Sequence, residues 1–421
     1  MSMTISEKIL SKESNSEAYA GDYVTAQIGT AMAQDGTAPL TIKAIKDMDG
    51  GEVWNPENIV LVMDHTIPSA SVGTSSMHKS MREFAKNHNI ENIYYGEGIC
   101  HQLMAERGHV KPGTVVVGAD SHTCTYGALG AFGTGIGSTE MAGVFLSGKL
   151  WFKVPETMKF EVTGELPKNV AAKDLALKIV GEVGADGATY KAVEYSGNPI
   201  RKMSVGERMT LTNLAVEMGA KTGIVEPDEK VRKFLDDRVE EEIELLENDE
   251  DAEFEETYYF EGDDLEPQIA FPHQVDNVKP ITEAEGIKLD QVFLGTCTNG
   301  RLIDLEVAAN VLEGKKIHPD TRMLVNPASK EVYKKALDRG LIETFLEAGC
   351  IVNNPGCGPC AGSHQGILAP EETCLSTANR NFKGRMGPEE AKIYLSSPIT
   401  AAISAVKGEI TNPQEELNER N

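Results

Sequence analysis

Thr114-Val-Val-Val-Gly-Ala-Asp-Ser-His-Thr123 is the stretch on which the fold turns. Three β-branched apolar residues run together, stop at a glycine, and open into a carboxylate, a hydroxyl and an imidazole. A short apolar run bounded by turn residues is the pattern of a buried strand, and its polar end marks where the strand leaves the sheet.

The same design recurs along the chain. Ile59-Val-Leu-Val-Met63 runs into Asp64-His65, and Gln291-Val-Phe-Leu-Gly295 runs into Thr296-Cys297-Thr298-Asn299-Gly300-Arg301. Cys350-Ile-Val-Asn353 runs into Asn354-Pro355-Gly356-Cys357-Gly358-Pro359-Cys360. Thr373-Cys-Leu-Ser-Thr377 runs into Ala378-Asn379-Arg380-Asn381. Helical patterns lie between, as at 302–312 and 330–346. Strand then helix, repeated, predicts an α/β fold with mainly parallel sheets. Ligands in such sheets bind beyond the carboxyl ends of the strands, where all five polar, partly cysteine-bearing turns fall.

At about 150 residues per domain, 421 residues predict two to three domains. The division expected is 1–153, carrying the Asp-His and Asp-Ser-His motifs; 154–280, a smaller α/β domain; and 281–421, carrying the clustered cysteines. Prolines mark the expected linkers near Lys153-Val-Pro155 and Asn277-Val-Lys-Pro280. The net charge of −25 argues against nucleic acid and anionic membranes as partners. Much of it lies in 236–266, where 17 acidic residues face one basic residue, Arg238. That segment is expected to be a solvated, partly mobile surface insertion. No apolar run reaches the ~18 residues of a membrane helix. The start, Met1-Ser-Met-Thr-Ile-Ser-Glu-Lys, is not that of a signal peptide, so the cytoplasm is the expected compartment.

Seven cysteines without a signal peptide do not form a disulfide framework. Cys100, Cys124, Cys350 and Cys374 sit on or beside expected core elements and fit as small buried residues. Cys357 and Cys360, in a Cys-x-x-Cys turn, and Cys297 fit metal ligation. Two readings stay open: a zinc site completed by His364, or three thiolates on a 4Fe–4S cluster with one iron open. Asp64-His65 and Asp120-Ser121-His122 each put a carboxylate beside an imidazole, which fixes its tautomer and raises its basicity. His101 adds a third imidazole. Arg380 and Arg385 bracket a glycine turn and suit carboxylate recognition. Gly133-Thr-Gly-Ile-Gly137 lacks the spacing of a dinucleotide loop and is expected to pack against backbone.

Six blocks together resemble the aconitase superfamily: Met63-Asp-His65, Gly98-Ile-Cys-His-Gln102, Gly118-Ala-Asp-Ser-His-Thr123, Gly295-Thr-Cys-Thr-Asn-Gly-Arg301, Asn354-Pro-Gly-Cys-Gly-Pro-Cys360 and Asn379-Arg-Asn-Phe-Lys-Gly-Arg385. Within it they are most similar to the two-subunit isopropylmalate and homoaconitate hydro-lyases. The resemblance implies three α/β domains packed around a 4Fe–4S cluster held by Cys297, Cys357 and Cys360. It implies that Asp64 and His65 handle the departing hydroxyl's proton, and that His101, Asp120, His122 and Glu217 surround the water at the open iron. Gln34, Ser121, Arg380 and Arg385 would bind substrate carboxylates, and Asn213 and Asn379 would lie near the cluster. The family's base is a serine on a swivelling domain that this chain lacks, so a separate small subunit is implied, without which the chain should be inactive. The activity implied is isomerisation of 2-isopropylmalate through 2-isopropylmaleate to 3-isopropylmalate in leucine biosynthesis, with a homocitrate-type substrate as the alternative. A non-catalytic metal-binding protein is the rival from another class; the intact histidine–carboxylate pairs speak against it.

Overall fold

A computed structural model describes residues 2–414; the expected third domain's last residues, 415–421, and Met1 lie outside the described residues. All five runs read as strands are strands: Ile59–Met63, Val115–Gly118, Gln291–Leu294, Ile351–Val352 and Thr373–Ser376. They belong to two sheets whose carboxyl ends face each other.

The first sheet has five parallel strands, in the order Ile93–Tyr95, Ile59–Met63, Thr30–Gln34, Val115–Gly118 and Phe132–Gly135. Near-continuous apolar burial, as in Ile59–Met63, is what a parallel sheet covered on both faces requires. Its central strand, Thr30–Gln34, carries little strand signal, because Thr-Ala-Met-Ala-Gln holds only one β-branched residue. The second sheet has seven strands. Thr373–Ser376, Gln291–Leu294, Arg322–Val325 and Ile351–Val352 run parallel and side by side. Val278–Pro280, expected to be a linker, is instead its edge strand, pairing antiparallel with Gln268–Ala270. Proline is tolerated there because an edge strand has one unpaired side. A third sheet, of four parallel strands, spans Thr157–Thr163, Ala192–Gly197, Thr222–Val225 and Glu256–Glu261. The helix expected over 330–346 is two, Lys330–Asp338 and Leu341–Ala348, broken where Gly340 turns left-handed at φ 75°.

The two large sheets are stitched together at the site. The Ile99 amide donates to Ala328 O at 2.8 Å, and the Cys357 amide to Asp64 O at 3.0 Å. Helix Val205–Leu214 wedges between them: Thr212 Oγ1 donates to Thr125 O at 3.0 Å, and Thr210 Oγ1 to Thr298 O at 2.8 Å. The Gly133–Gly137 segment does pack against backbone. A Cβ on Gly133 would meet Thr123 O at 2.4 Å, and one on Gly135 would meet Asp120 O at 2.6 Å. These glycines let the Asp120 turn lie flat on its neighbouring strand.

The acidic stretch is largely exposed, yet it is tied to the fold at several points. Val239, Ile243 and Leu246 pack against the apolar cores around the five-stranded sheet, and Glu256–Glu261 is a strand. Between them, Lys8, Lys12 and Lys111 pair with Asp249, Glu244 and Glu241. Asn248 accepts from the Ile5 amide at 2.8 Å and donates to buried Glu194 at 2.7 Å. Most of the carboxylates face water, while Val239, Ile243 and Leu246 turn toward the cores.

Burial, reinforced by Glu226, pushes the Glu194 carboxyl from 4.5 up to about 7. A raised carboxyl pKa means that the folded chain holds its proton more tightly than the unfolded chain. Stability from this group is therefore full below pH 4.5 and falls as pH rises through about 7. Glu194→Gln keeps an acceptor for Asn248 without the charge. The expected gain in unfolding free energy is up to about 3 kcal/mol at pH 8 and none at pH 4, read from denaturant melts at both.

Candidate active site

The candidates named from the sequence lie at this junction, apart from His364. Asp64 is buried; its Oδ1 accepts from His65 Nδ1 at 2.7 Å, and its Oδ2 accepts the Cys100 amide at 2.7 Å. The amide bond fixes the carboxylate so that the imidazole is aimed rather than merely adjacent. Burial alone would lower the His65 pKa, yet the charges of Cys357 and Asp64, with hydrogen bonds to Asp35 and Asp64, hold it well above the ordinary histidine value.

Asp120 is the hub of the next turn. Its Oδ1 accepts from His101 Nε2 at 2.9 Å and from the His122 amide at 2.9 Å, and its Oδ2 from Gln34 Nε2 at 3.3 Å. Against the effect of burial, His101 and His122 hold its pKa well below the carboxylate range. The Tyr126 hydroxyl lies 3.1 Å from His101 Nδ1. His122 Nε2 donates to Glu217 Oε1 at 3.0 Å, which also receives Arg380 Nε at 2.7 Å. Burial would raise Glu217, but His122 and Arg380 bring it below its ordinary value. Ser121 Oγ sits 3.4 Å from His122 Nδ1. An open cavity of about 560 Å³ runs along Gln34, Asp120 and Ser121.

Opposite these pairs lie Cys297, Cys357 and Cys360, all buried and free. Gly358 gives the Cys357–Cys360 turn its shape: φ is 57°, and a Cβ there would meet Asn326 Nδ2 at 2.7 Å. Asn213 and Asn379 donate to Cys297 Sγ at 3.2 and 3.3 Å, and Arg385 Nη2 lies 3.8 Å from Cys360 Sγ. Burial, with the charge of Cys360, pushes the Cys297 thiol up to about 12. Burial likewise drives Cys357 well above its ordinary value. Thiols so disfavoured as free anions, yet met by amide and guanidinium donors, suit metal-bound thiolates.

The geometry bears on the two metal readings. Sulfurs on one zinc ion lie about 3.8 Å apart. Among the described residues, two groups place three ligand atoms within 4.8 Å of one another: Asp64–His65–Cys357 and His101–Asp120–His122. The three cysteines do not form such a group. His364, the fourth ligand of the zinc reading, points elsewhere: it is half-buried, with Nε2 3.1 Å from Pro68 O.

Two residues escaped the sequence reading. Asp35 is buried and accepts the amides of Asp64, His65 and Thr66, and His78 Nε2 donates to it at 2.9 Å. The signal was there: Gln34-Asp35-Gly36 is a sixth polar turn at a strand's carboxyl end.

The chain matches the model of the aconitase family (aconitate hydratase) over residues 7–408. It is 54% identical, over 98% of this chain and 99% of that one, to a protein named 3-isopropylmalate dehydratase large subunit 1 of Methanopyrus kandleri. It is likewise 54% identical, over the same shares, to the probable 3-isopropylmalate dehydratase large subunit of Methanothermobacter thermautotrophicus. It is 50% identical, over 98% of each chain, to that organism's probable methanogen homoaconitase large subunit.

Proposed function

The chain belongs to the aconitase family, and we propose that it is the large subunit of a hydro-lyase that isomerises 2-isopropylmalate to 3-isopropylmalate by way of 2-isopropylmaleate. One observation carries the reading: three hydrogen-bonded histidine–carboxylate pairs, 64–65, 101–120 and 122–217, meet three buried thiols where the parallel strands of two sheets end. A 4Fe–4S cluster on Cys297, Cys357 and Cys360 would supply a Lewis acid that makes hydroxide a better leaving group.

The chain's own residues do the rest. His65, aimed by Asp64, delivers the proton that the departing hydroxyl needs. His101 and His122 are each fixed by a carboxylate, so they orient a water and relay its proton during rehydration. Among the described residues Arg380 uses only Nε, on Glu217, which leaves its terminal nitrogens for a substrate carboxylate. Arg385 Nε is buried without a partner and suits a second carboxylate oxygen. Gln34 and Ser121 line the cavity beside Asp120 and would take up a further carboxylate oxygen. Asn213 and Asn379 hold Cys297 in place. The base that removes the carbon-bound proton belongs, in this reading, to a separate small subunit. The negative charge and the small polar site leave nucleic acid and membrane out of its partners, and the cytoplasm is its proposed location.

The second reading is a homocitrate-type substrate, favoured by 50% identity to a chain named as a homoaconitase large subunit. An anaerobic hydration assay decides. The chain, reconstituted with iron, sulfide and its small subunit, is offered isopropylmaleate and homoaconitate separately, following loss of alkene absorbance. Isopropylmaleate should be consumed and the chain alone should be inactive. Preference for homoaconitate would move the substrate, and inertness to both with the centre assembled would overturn the hydro-lyase reading.

A further inference from the structure

Asp35 lies behind the Asp64–His65 pair, at the end of the central strand Thr30–Gln34, and is buried. Its Oδ1 accepts the amides of Asp64 at 3.4 Å and His65 at 3.0 Å; its Oδ2 accepts the Thr66 amide at 3.2 Å. One carboxylate therefore satisfies three consecutive backbone donors of the turn that carries the pair. The fourth donor is His78 Nε2, at 2.9 Å, from the buried face of helix Val72–Asn87. His78 is itself held edge-on to Tyr95, with ring centroids 5.6 Å apart. Asp35 Oδ1 also stands 3.6 Å from His65 Nδ1, the nitrogen that donates to Asp64. The imidazole is thus tethered on its Nδ1 side between two carboxylates, which leaves Nε2 as its working nitrogen.

We propose that Asp35, braced by His78, is a positioning residue that fixes the Asp64–His65 turn so that His65 presents Nε2 to the reacting oxygen. What the pair does there rests on the hydro-lyase reading. A hydrogen-bonded partner that orients an acting group typically matters 10- to 100-fold. The amide of an asparagine can keep most of these bonds, because His78 can exchange its ring proton: its Nδ1 is buried without a partner. Alanine cannot keep any.

The test compares Asp35→Ala, Asp35→Asn and His78→Leu in the reconstituted complex, together with amide exchange at residues 64–66 in the large chain alone. Asp35→Ala should lower kcat about 10- to 100-fold with KM essentially unchanged, and exchange at the three amides should quicken. Asp35→Asn should recover most of both. A wild-type kcat in Asp35→Ala, or an Asn variant as poor as the Ala variant, overturns the proposal. If Asp35→Ala does not fold, His78→Leu decides: a partial loss of kcat supports the brace, and a wild-type value overturns it. The exchange arm needs no turnover. Faster exchange beside a wild-type complex that hydrates neither alkene would leave the positioning role standing and fell the hydro-lyase reading.

Discussion

Serine in place of Cys357 will leave a folded chain in which iron and acid-labile sulfide fall to background after anaerobic reconstitution. With the small subunit added, that chain will have essentially no hydratase activity. The proposed centre has three protein ligands; the possible ligands nearest Cys357 Sγ, Asp64 and His65, are already bound to each other at 2.7 Å, and His364 is half-buried and turned to Pro68 O. A hydroxyl cannot replace a thiolate for a soft metal centre. The side chain differs by one atom, and the turn is held by its backbone, through the Cys357 amide on Asp64 O and the left-handed Gly358, so the fold has no reason to fail. Cys100→Ser is the matched control. Cys100 is equally buried and its amide also binds Asp64, but its thiol lies outside the proposed ligand set, so iron and sulfide should stay. Full metal content in Cys357→Ser, or zinc without sulfide in the unaltered protein, would remove the cluster from the reading.

What the sequence made readable follows from where each residue sits. The five strand-end turns were legible because β-branched runs stop abruptly, and those turns carry Asp64, His65, Asp120, Ser121, His122, the three cysteines, Asn379 and Arg380. The central strand Thr30–Gln34 was not, because alanine and methionine carry no strand signature, and Asp35 was lost with it. Glu217 and Asn213 could not come from strand-end logic at all. They lie on the helical segments Ala215–Met218 and Val205–Leu214, brought in by packing across the third sheet, and only the family resemblance pointed to them. His78 sits mid-helix among Met81, Phe84 and Ala85, where a buried histidine looks like any core residue. The charge of the acidic stretch hid Val239, Ile243 and Leu246, which pack half-buried against the cores and tie it to the fold.

Asparagine at position 120 is expected to cost about 10³- to 10⁴-fold in kcat, the scale seen when a buried aspartate that fixes a catalytic histidine becomes an amide. Asp120 Oδ1 receives both the His101 imidazole and the His122 amide, and Oδ2 receives Gln34. All three partners donate, so an amide nitrogen on either side must face a donor. If it faces His101, the ring must present a bare Nε2 and move its proton to Nδ1, beside the Tyr126 hydroxyl at 3.1 Å, which reverses the polarity of that histidine. If it faces Gln34, the carboxamide beside the cavity must flip, and a proposed substrate contact goes with it. The charge matters as well, because two imidazoles hold Asp120 well below the carboxylate range, and the neutral amide gives nothing back when either ring takes up a proton. Iron and sulfide content should not change, since Asp120 contacts none of the three proposed cysteine ligands. Steady-state rates with isopropylmaleate, beside metal analysis of the same preparation, separate the cases. A kcat within tenfold of wild type would reduce the His101–Asp120 pair to scaffolding. A collapse of metal content would mean that Asp120 holds the junction of the two sheets rather than the proton relay proposed for it.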